Sequence, residues 1–142
     1  MKYKLQLLID KPRSEVWQTF RDPEKIRFWQ PSLTGMELLN GTPGEAGAVS
    51  KLTFREKERE FSLIERITSC QEPERLDQMY ENQFAANTVR NWFLEQGENQ
   101  TLWTTDTEYE FKTLLMKIMG PLYKKNFAAR TQRDMESFKA MV

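Results

Sequence analysis

The last thirty residues, Thr113 to Val142, constrain the fold of this chain most strongly. Their apolar side chains recur at helical spacing, so that at about 100° per residue they share one narrow sector of a helix. The members of this stripe are Phe127, Thr131, Met135, Phe138 and Val142. A helix with a single apolar face packs on another apolar surface. The remainder of the chain is therefore expected to provide that surface.

The start of this helix is predicted from Gly120-Pro121. Proline fits the first turn of a helix but not its interior, so the long helix is expected to begin at Pro121. Thr113 to Gly120 then forms a separate lead-in. If a pocket opens under the helix, we expect this lead-in to be its gate.

Composition disfavours several classes of function before any fold is assigned. The chain of 142 residues suits a single domain spanning 1–142, and its 21 basic and 21 acidic residues leave no net charge. No block of like charge stands out, so no nucleic-acid partner is expected. There is no histidine and only one cysteine, Cys70. Catalytic triads, internal disulfides and zinc sites are thereby disfavoured, and we expect no metal and no cofactor.

The apolar runs of the chain are short. The first residues alternate too regularly for a signal peptide, and no run approaches the roughly 20 residues that a membrane span needs. The sequence therefore predicts a cytoplasmic protein without stable membrane insertion.

The first third of the chain predicts one strand and two short helices. Tyr3, Leu5, Leu7 and Ile9 alternate with polar residues, as in a half-buried strand. A helix of about two turns follows Pro12, with Ser14 as a possible cap and an apolar face of Val16, Trp17 and Phe20. A second helix is predicted to begin at Asp22-Pro23, to bury Ile26, Phe28 and Trp29, and to end at Pro31.

The middle of the chain predicts hairpins. Pairing Phe54 with Phe61 across a charged turn also pairs Leu52 with Leu63 and Ser50 with Glu65, all on one face. A strand is predicted around Arg75 to Glu81, and its inward face remains open between Leu76 with Tyr80 and Met79. A second hairpin, Thr88 to Gln96 and Gln100 to Phe111, turns about Gly97.

The strand from Gln100 to Phe111 has the clearest alternation in the chain. One face is acidic and polar, whereas the other carries Trp103, Thr105, Thr107, Tyr109 and Phe111. Threonines among aromatic residues are unusual for a plain core. This face predicts a cavity with a polar component.

These elements predict an α+β fold in which a curved antiparallel sheet of about six or seven strands wraps on a long C-terminal helix, with two short helices after the first strand. At this point the chain resembles the START-like, Bet v 1-like helix-grip superfamily, in particular its small bacterial polyketide cyclase/dehydrase and lipid-transport group. The resemblance covers nearly the whole chain and rests on the order of loose motifs. These are Lys11 to Trp17, Asp22 to Lys25 with Trp29 to Pro31, Gly44 to Gly47, Glu65 to Ile67 before Gln71 to Leu76, Gly97 to Leu102, and Asp134 to Lys139.

The resemblance implies a deep pocket between sheet and helix for hydrophobic or amphipathic small molecules. Some members of the superfamily are cyclases, others bind or carry ligands, and one branch regulates a chaperone. We accordingly expect binding or carrying of a lipid-, quinone- or polyketide-like molecule by a monomer or weak homodimer. The alternatives are a cyclase/dehydrase-type enzyme and a chaperone-regulating interaction module.

The candidate ligand-binding residues come from the predicted inward faces. The apolar and neutral candidates are Trp29, Leu52, Phe54, Leu63, Trp92, Trp103, Thr105, Tyr109, Phe127, Thr131 and Met135. The alternative for each is ordinary core packing that leaves no void.

Charged candidates are fewer. Glu65 lies in phase with Leu63 and Ile67, and a buried carboxylate needs a partner or has its pKa raised. Arg90 is the candidate partner or ligand contact, and Lys124 on the helix flank is another cation in reach. If the protein is an enzyme, Glu65, Tyr80 and Tyr109 are the candidate catalytic residues.

Overall fold

The computed structural model describes all 142 residues. Its elements are β1 (Lys2–Ile9), α1 (Arg13–Arg21), α2 (Pro23–Trp29), β2 (Leu33–Asn40), β3 (Val49–Glu56), β4 (Arg59–Gln71), β5 (Arg75–Glu81), β6 (Ala85–Glu95), β7 (Thr101–Phe111), α3 (Leu114–Met119), a 3₁₀ helix (Gly120–Tyr123) and α4 (Lys124–Met141). This order and the curved sheet under a C-terminal helix confirm the predicted helix-grip fold. None of the helices combines the length and the hydrophobicity that a membrane span requires.

The seven strands form one antiparallel sheet in the order β1-β7-β6-β5-β4-β3-β2. Strands β2 to β7 are neighbours both in sequence and in the sheet, whereas β1 pairs with β7. The helices α1 and α2 therefore connect strands at opposite edges of the sheet. The predicted register of the first hairpin is confirmed, with Phe54 opposite Phe61, Leu52 opposite Leu63 and Ser50 opposite Glu65.

The two short helices follow the prediction with two corrections. The Asp22 side chain caps α2 by accepting a hydrogen bond from the Glu24 amide at 3.0 Å. Ser14 caps nothing, because the position before α1 is held by Pro12. Phe28 is 62% exposed rather than buried. It is one residue from Trp29, about 100° further round the helix, so the two rings cannot share a face.

The core is an aromatic cluster between the sheet, the short helices and the C-terminal half of α4. Phe138 is fully buried and its ring centroid lies 5.3 Å from those of Trp29 and Trp103. Phe20 and Phe93 complete the cluster, with centroids 5.0 Å apart. The helix is thus held firmly at its C-terminal half.

The lead-in to α4 differs slightly from the prediction. Thr113 caps α3 by accepting from the Met116 amide at 3.1 Å, and Pro121 lies within the 3₁₀ helix. The α-helix begins at Lys124, three residues after the predicted start at Pro121. The reason is that Tyr123, with φ −98° and ψ 10°, interrupts the helical backbone.

Candidate functional site

A cavity of about 470 Å³ lies between the inner face of the sheet and the middle of α4. Its volume falls within the roughly 300–1,000 Å³ typical of small-molecule sites. Of its 34 lining residues, 18 are hydrophobic. An enclosure that is half apolar and half polar suits an amphipathic molecule better than a purely apolar one.

The cavity exists because large side chains are concentrated at one end of the sheet. Next to the aromatic core, β7 carries Thr105 and Thr107, whose small, buried side chains line the cavity. From α4, Thr131 closes one wall by a 2.9 Å hydrogen bond with the Tyr3 hydroxyl. These short side chains do not reach across the space between sheet and helix.

The cavity opens to solvent beside the edge strand β2. Met36 and Leu38 line the cavity and yet are 47% and 43% exposed. No residue from Thr113 to Gly120 lines it. The prediction that this segment is the gate is therefore wrong, since α3 packs against the end of β7 instead of over the cavity.

A chain of hydrogen bonds crosses four strands on the inner face. The indole Nε1 of Trp103 donates to Oδ1 of Asn91 at 3.0 Å, and Nδ2 of Asn91 donates to Oε1 of Gln78 at 3.4 Å. Nε2 of Gln78 then donates to Oε2 of Glu65 at 3.1 Å. The three donations run in one direction across the sheet and end at the Glu65 carboxylate.

Tyr80 lies directly opposite Glu65 on β5, and both residues line the cavity. Burial raises the pKa of Glu65 above its ordinary value, although Tyr80, Gln78 and the charge of Arg21 oppose the shift. Burial and the neighbouring carboxylate together raise the pKa of Tyr80 well above its ordinary value. The pair can hold a proton between them and present it to a ligand.

A second carboxyl group lines the cavity from α4. Burial raises the pKa of Asp134 to about 6, against the lowering effect of Arg130 and Arg133. Arg130 is engaged with Glu56 on β3 at 2.6 Å. This ion pair ties the middle of α4 to the sheet on the side opposite Tyr3.

Two buried polar atoms of the lining have no hydrogen-bond partner in the protein. They are the indole Nε1 of Trp29, a donor, and Oδ1 of Asn87, an acceptor. Buried polar groups are nearly always paired, so these two atoms call for partners from the cavity contents, whether ligand or water.

The structure brings most of the predicted site residues together. Those that line the cavity are Trp29, Leu52, Phe54, Leu63, Glu65, Tyr80, Trp103, Thr105, Tyr109, Thr131 and Met135. The inward face of β5, left open by the sequence, is the one that carries Leu76 and Tyr80. Whether these residues contact a ligand stays a prediction.

Three predicted residues lie elsewhere. Trp92 and Arg90 are on the outer face of β6, where the Trp92 ring lies 4.9 Å from the Arg75 guanidinium and Arg90 is 3.9 Å from Glu108. The prediction is wrong because both faces of β6 mix polar and apolar residues, and the fully buried Phe93 is the residue that points inward. Phe127 stacks on Tyr109 at 5.1 Å and is separated from the cavity by that ring.

Lys124 is also not a cavity residue, since it is exposed at the start of α4. Sequence reasoning missed Gln78, Asn91 and Asp134. The alternation of β5 and β6 was the available signal, because Gln78 is in phase with Tyr80 and Asn91 is in phase with Phe93.

No protein-family model matches the chain, and no curated protein matches it by sequence. Solved structures do match along its length. A START superfamily protein from Mycobacterium smegmatis is 15% identical, with a TM-score of 0.81, and the match covers 99% of this chain and 96% of that one. Ginseng major latex-like protein 151 from Panax ginseng is 16% identical, with a TM-score of 0.77 and the same coverage of 99% and 96%.

A third similar structure is norcoclaurine synthase from Thalictrum flavum, solved in complex with dopamine and hydroxybenzaldehyde. It is 14% identical, with a TM-score of 0.72 and coverage of 99% of this chain and 85% of that one. At identities this low, the structural similarity shows a shared fold and nothing about the ligand, which has to be argued from the residues of this chain.

Proposed function

We propose that this chain, which has the helix-grip fold of the START-like and Bet v 1-like proteins, binds or carries an amphipathic small molecule in the cavity under α4. The observation that carries the proposal is the lining itself. Apolar walls converge on the half-buried Glu65, to which Gln78 donates a hydrogen bond directly. Asn91 and Trp103 extend this chain of hydrogen bonds behind Gln78. Ligand sites combine a mostly apolar surface with a few placed polar groups in this way.

The lining favours one orientation of the ligand. A hydroxyl or carbonyl group would meet Glu65 and Tyr80, while the apolar body would lie along Leu52, Leu63 and Met135. Lipid-, quinone- and polyketide-like molecules share this combination of features. The unpaired atoms of Trp29 and Asn87 offer one further donor and one further acceptor.

Binding can be measured with native mass spectrometry and with the fluorescence of anilinonaphthalene sulfonate displaced by a fatty acid, a quinone and an aromatic polyketide. Leu63→Trp fills the cavity and is expected to weaken binding by about tenfold or more. Leu94→Trp is the matched control, because Leu94 is 42% exposed and lies outside the lining. Equal binding by both variants and the unmodified chain would refute the proposal.

A second candidate function is an enzyme of the cyclase/dehydrase type. The observation in its favour is the cross-strand pairing of Glu65 with Tyr80, which both line the cavity. In such an enzyme the Tyr80 hydroxyl would donate to a substrate carbonyl and Glu65 would accept a proton. Norcoclaurine synthase shows that this fold can belong to an enzyme.

The two functions are separated by Glu65→Gln, which keeps the shape of the side chain and removes its acid-base chemistry. If Glu65 is the general base, turnover of an identified substrate falls by about 10²–10⁴-fold while binding persists. Turnover unaffected by the substitution would remove Glu65 from any catalytic role and leave the binding proposal standing.

A further inference from the structure

The segment Leu114 to Tyr123 exposes an unusual amount of apolar surface. The four most exposed large hydrophobic side chains of the whole chain lie in it, namely Leu122 at 78%, Leu114 at 75%, Leu115 at 65% and Ile118 at 64%. Met119 and Tyr123 add to the same surface. A contiguous apolar patch on a protein surface commonly marks a contact site.

This surface is held in a defined position. Gly120 is buried against the ring of Phe111, where any larger side chain would collide with that ring. Thr113 caps the first turn, and Met116 is half-buried on the inward side. The apolar side chains are therefore presented outward by an anchored turn.

The charged residues from Lys112 to Arg133 are all basic. Between Phe111 and Arg133 there is no Asp or Glu. Lys112 pairs with Glu81 at 2.7 Å, whereas Lys117, Lys124 and Lys125 are exposed and have no acidic partner. Three free ammonium groups thus border the exposed leucines.

We infer that residues 114–125, called the docking segment below, rest on the surface of an anionic lipid bilayer. Short amphipathic segments of this kind bury apolar side chains at the boundary between headgroups and acyl chains, while lysines meet anionic headgroups. A second copy of this chain fits less well. A symmetric contact would bring the lysines of two copies together, and the segment contains no carboxylate to pair with them.

The docking segment is also coupled to the cavity through packing. Phe111, which supports Gly120, stacks on Tyr109 at 5.9 Å, and Tyr109 lines the cavity. Docking would therefore place the Tyr109 end of the cavity close to the bilayer. The inference goes beyond the proposed function, because membrane contact does not require that the cavity hold a ligand.

The test is co-sedimentation of the purified chain with vesicles of phosphatidylcholine alone and of phosphatidylcholine mixed equally with phosphatidylglycerol. We expect binding to the mixed vesicles, weakened by added salt and weak or absent with phosphatidylcholine alone. Replacing Lys117, Lys124 and Lys125 by Gln should reduce the partition coefficient by about fivefold per lysine. The combined substitutions Leu114→Ser, Ile118→Ser and Leu122→Ser should abolish binding.

Matched controls alter exposed residues elsewhere. Phe28→Ser removes a ring that is 62% exposed, and Lys139→Gln removes an exposed lysine near the other end of α4. Both controls should bind like the unmodified chain. The inference is overturned if anionic vesicles bind nothing, or if the controls weaken binding as much as the docking-segment variants. It is equally overturned if light scattering shows a stable dimer that the three serine substitutions dissociate, since a second copy would then cover the patch.

Discussion

At the scale of single residues, burial and polar interactions act in opposite directions on the side chains of the cavity. Burial raises the pKa of the half-buried Glu65, and the opposing effects of Tyr80, Gln78 and Arg21 offset this shift only in part. Under the proposed function, such a group is retained because its carboxylate has further capacity to hydrogen-bond a ligand. The polar chain from Trp103 to Glu65 would then have a role that apolar packing could not fill.

Asp134 gives a pH prediction at this scale. Its pKa is about 6 in the folded chain against an ordinary 3.8, so the folded state takes up this proton first as the pH falls. Protonation of Asp134 should therefore increase the free energy of unfolding as the pH falls from about 6 to about 4. This contribution is lost again as the pH rises. Asp134→Asn removes the charge and should stabilise the chain at neutral pH by about 1–2 kcal/mol, after discounting for partial exposure.

The measurement is urea unfolding of both proteins across this pH range. The difference in stability between Asp134→Asn and the unmodified chain should shrink as the pH falls towards 4. A difference that does not change with pH would contradict the raised pKa. Arg133→Gln is a useful companion, because losing this cation should raise the pKa of Asp134 further.

At the scale of elements, α4 has two functions along its length. Its C-terminal half contributes Met135 and Phe138 to the aromatic core, whereas its middle covers the cavity with Thr131 and Asp134. The N-terminal half rests on Tyr109 through Phe127. The helix is thus packed into the aromatic core at its C-terminal end, whereas over the cavity it is held by the polar contacts of Arg130 and Thr131.

This asymmetry predicts unequal costs for two Phe→Ala substitutions on the same helix. Phe138→Ala should lower the free energy of unfolding by about 3–5 kcal/mol, because it removes a fully buried ring from a packed cluster. Phe127→Ala should cost about 1–2 kcal/mol, since its half-buried ring makes one stacking contact. Chemical denaturation of the two variants gives both values. Equal costs would show that α4 is held evenly along its length.

At the scale of the whole molecule, a ligand bound in the cavity would raise the stability of the folded chain. A ligand that binds only the folded chain adds about 2.7 kcal/mol at a concentration of one hundred times its Kd, which corresponds to a rise in Tm of roughly 5–10 °C. Leu63→Trp should lose this rise, and Leu94→Trp should keep it. Thermal unfolding with and without the compound checks the prediction, and a rise retained by Leu63→Trp would place the ligand outside the cavity.

Much of this architecture could be predicted because alternation in a strand reports local burial. The register of Phe54 with Phe61 and the inward face of β7 both follow from side chains that alternate clearly between polar and apolar. Where both faces of a strand carry polar and apolar residues, as in β6, the alternation does not show which face is buried. On β6 the choice between Trp92 and Phe93 depends on Asn91, whose partners Trp103 and Gln78 come from two other strands.

The sequence by itself determined the element order, the helix-grip fold and the inward position of Glu65, because those depend on periodicity along the chain. Only the tertiary structure decided the rest. Whether side chains fill the space under α4 depends on how far Thr105, Thr107 and Thr131 extend towards one another across it, which no single segment encodes. Likewise, the exposure of Leu114, Leu115 and Leu122 could not be predicted from the sequence, because it depends on how the segment around Gly120 packs against Phe111.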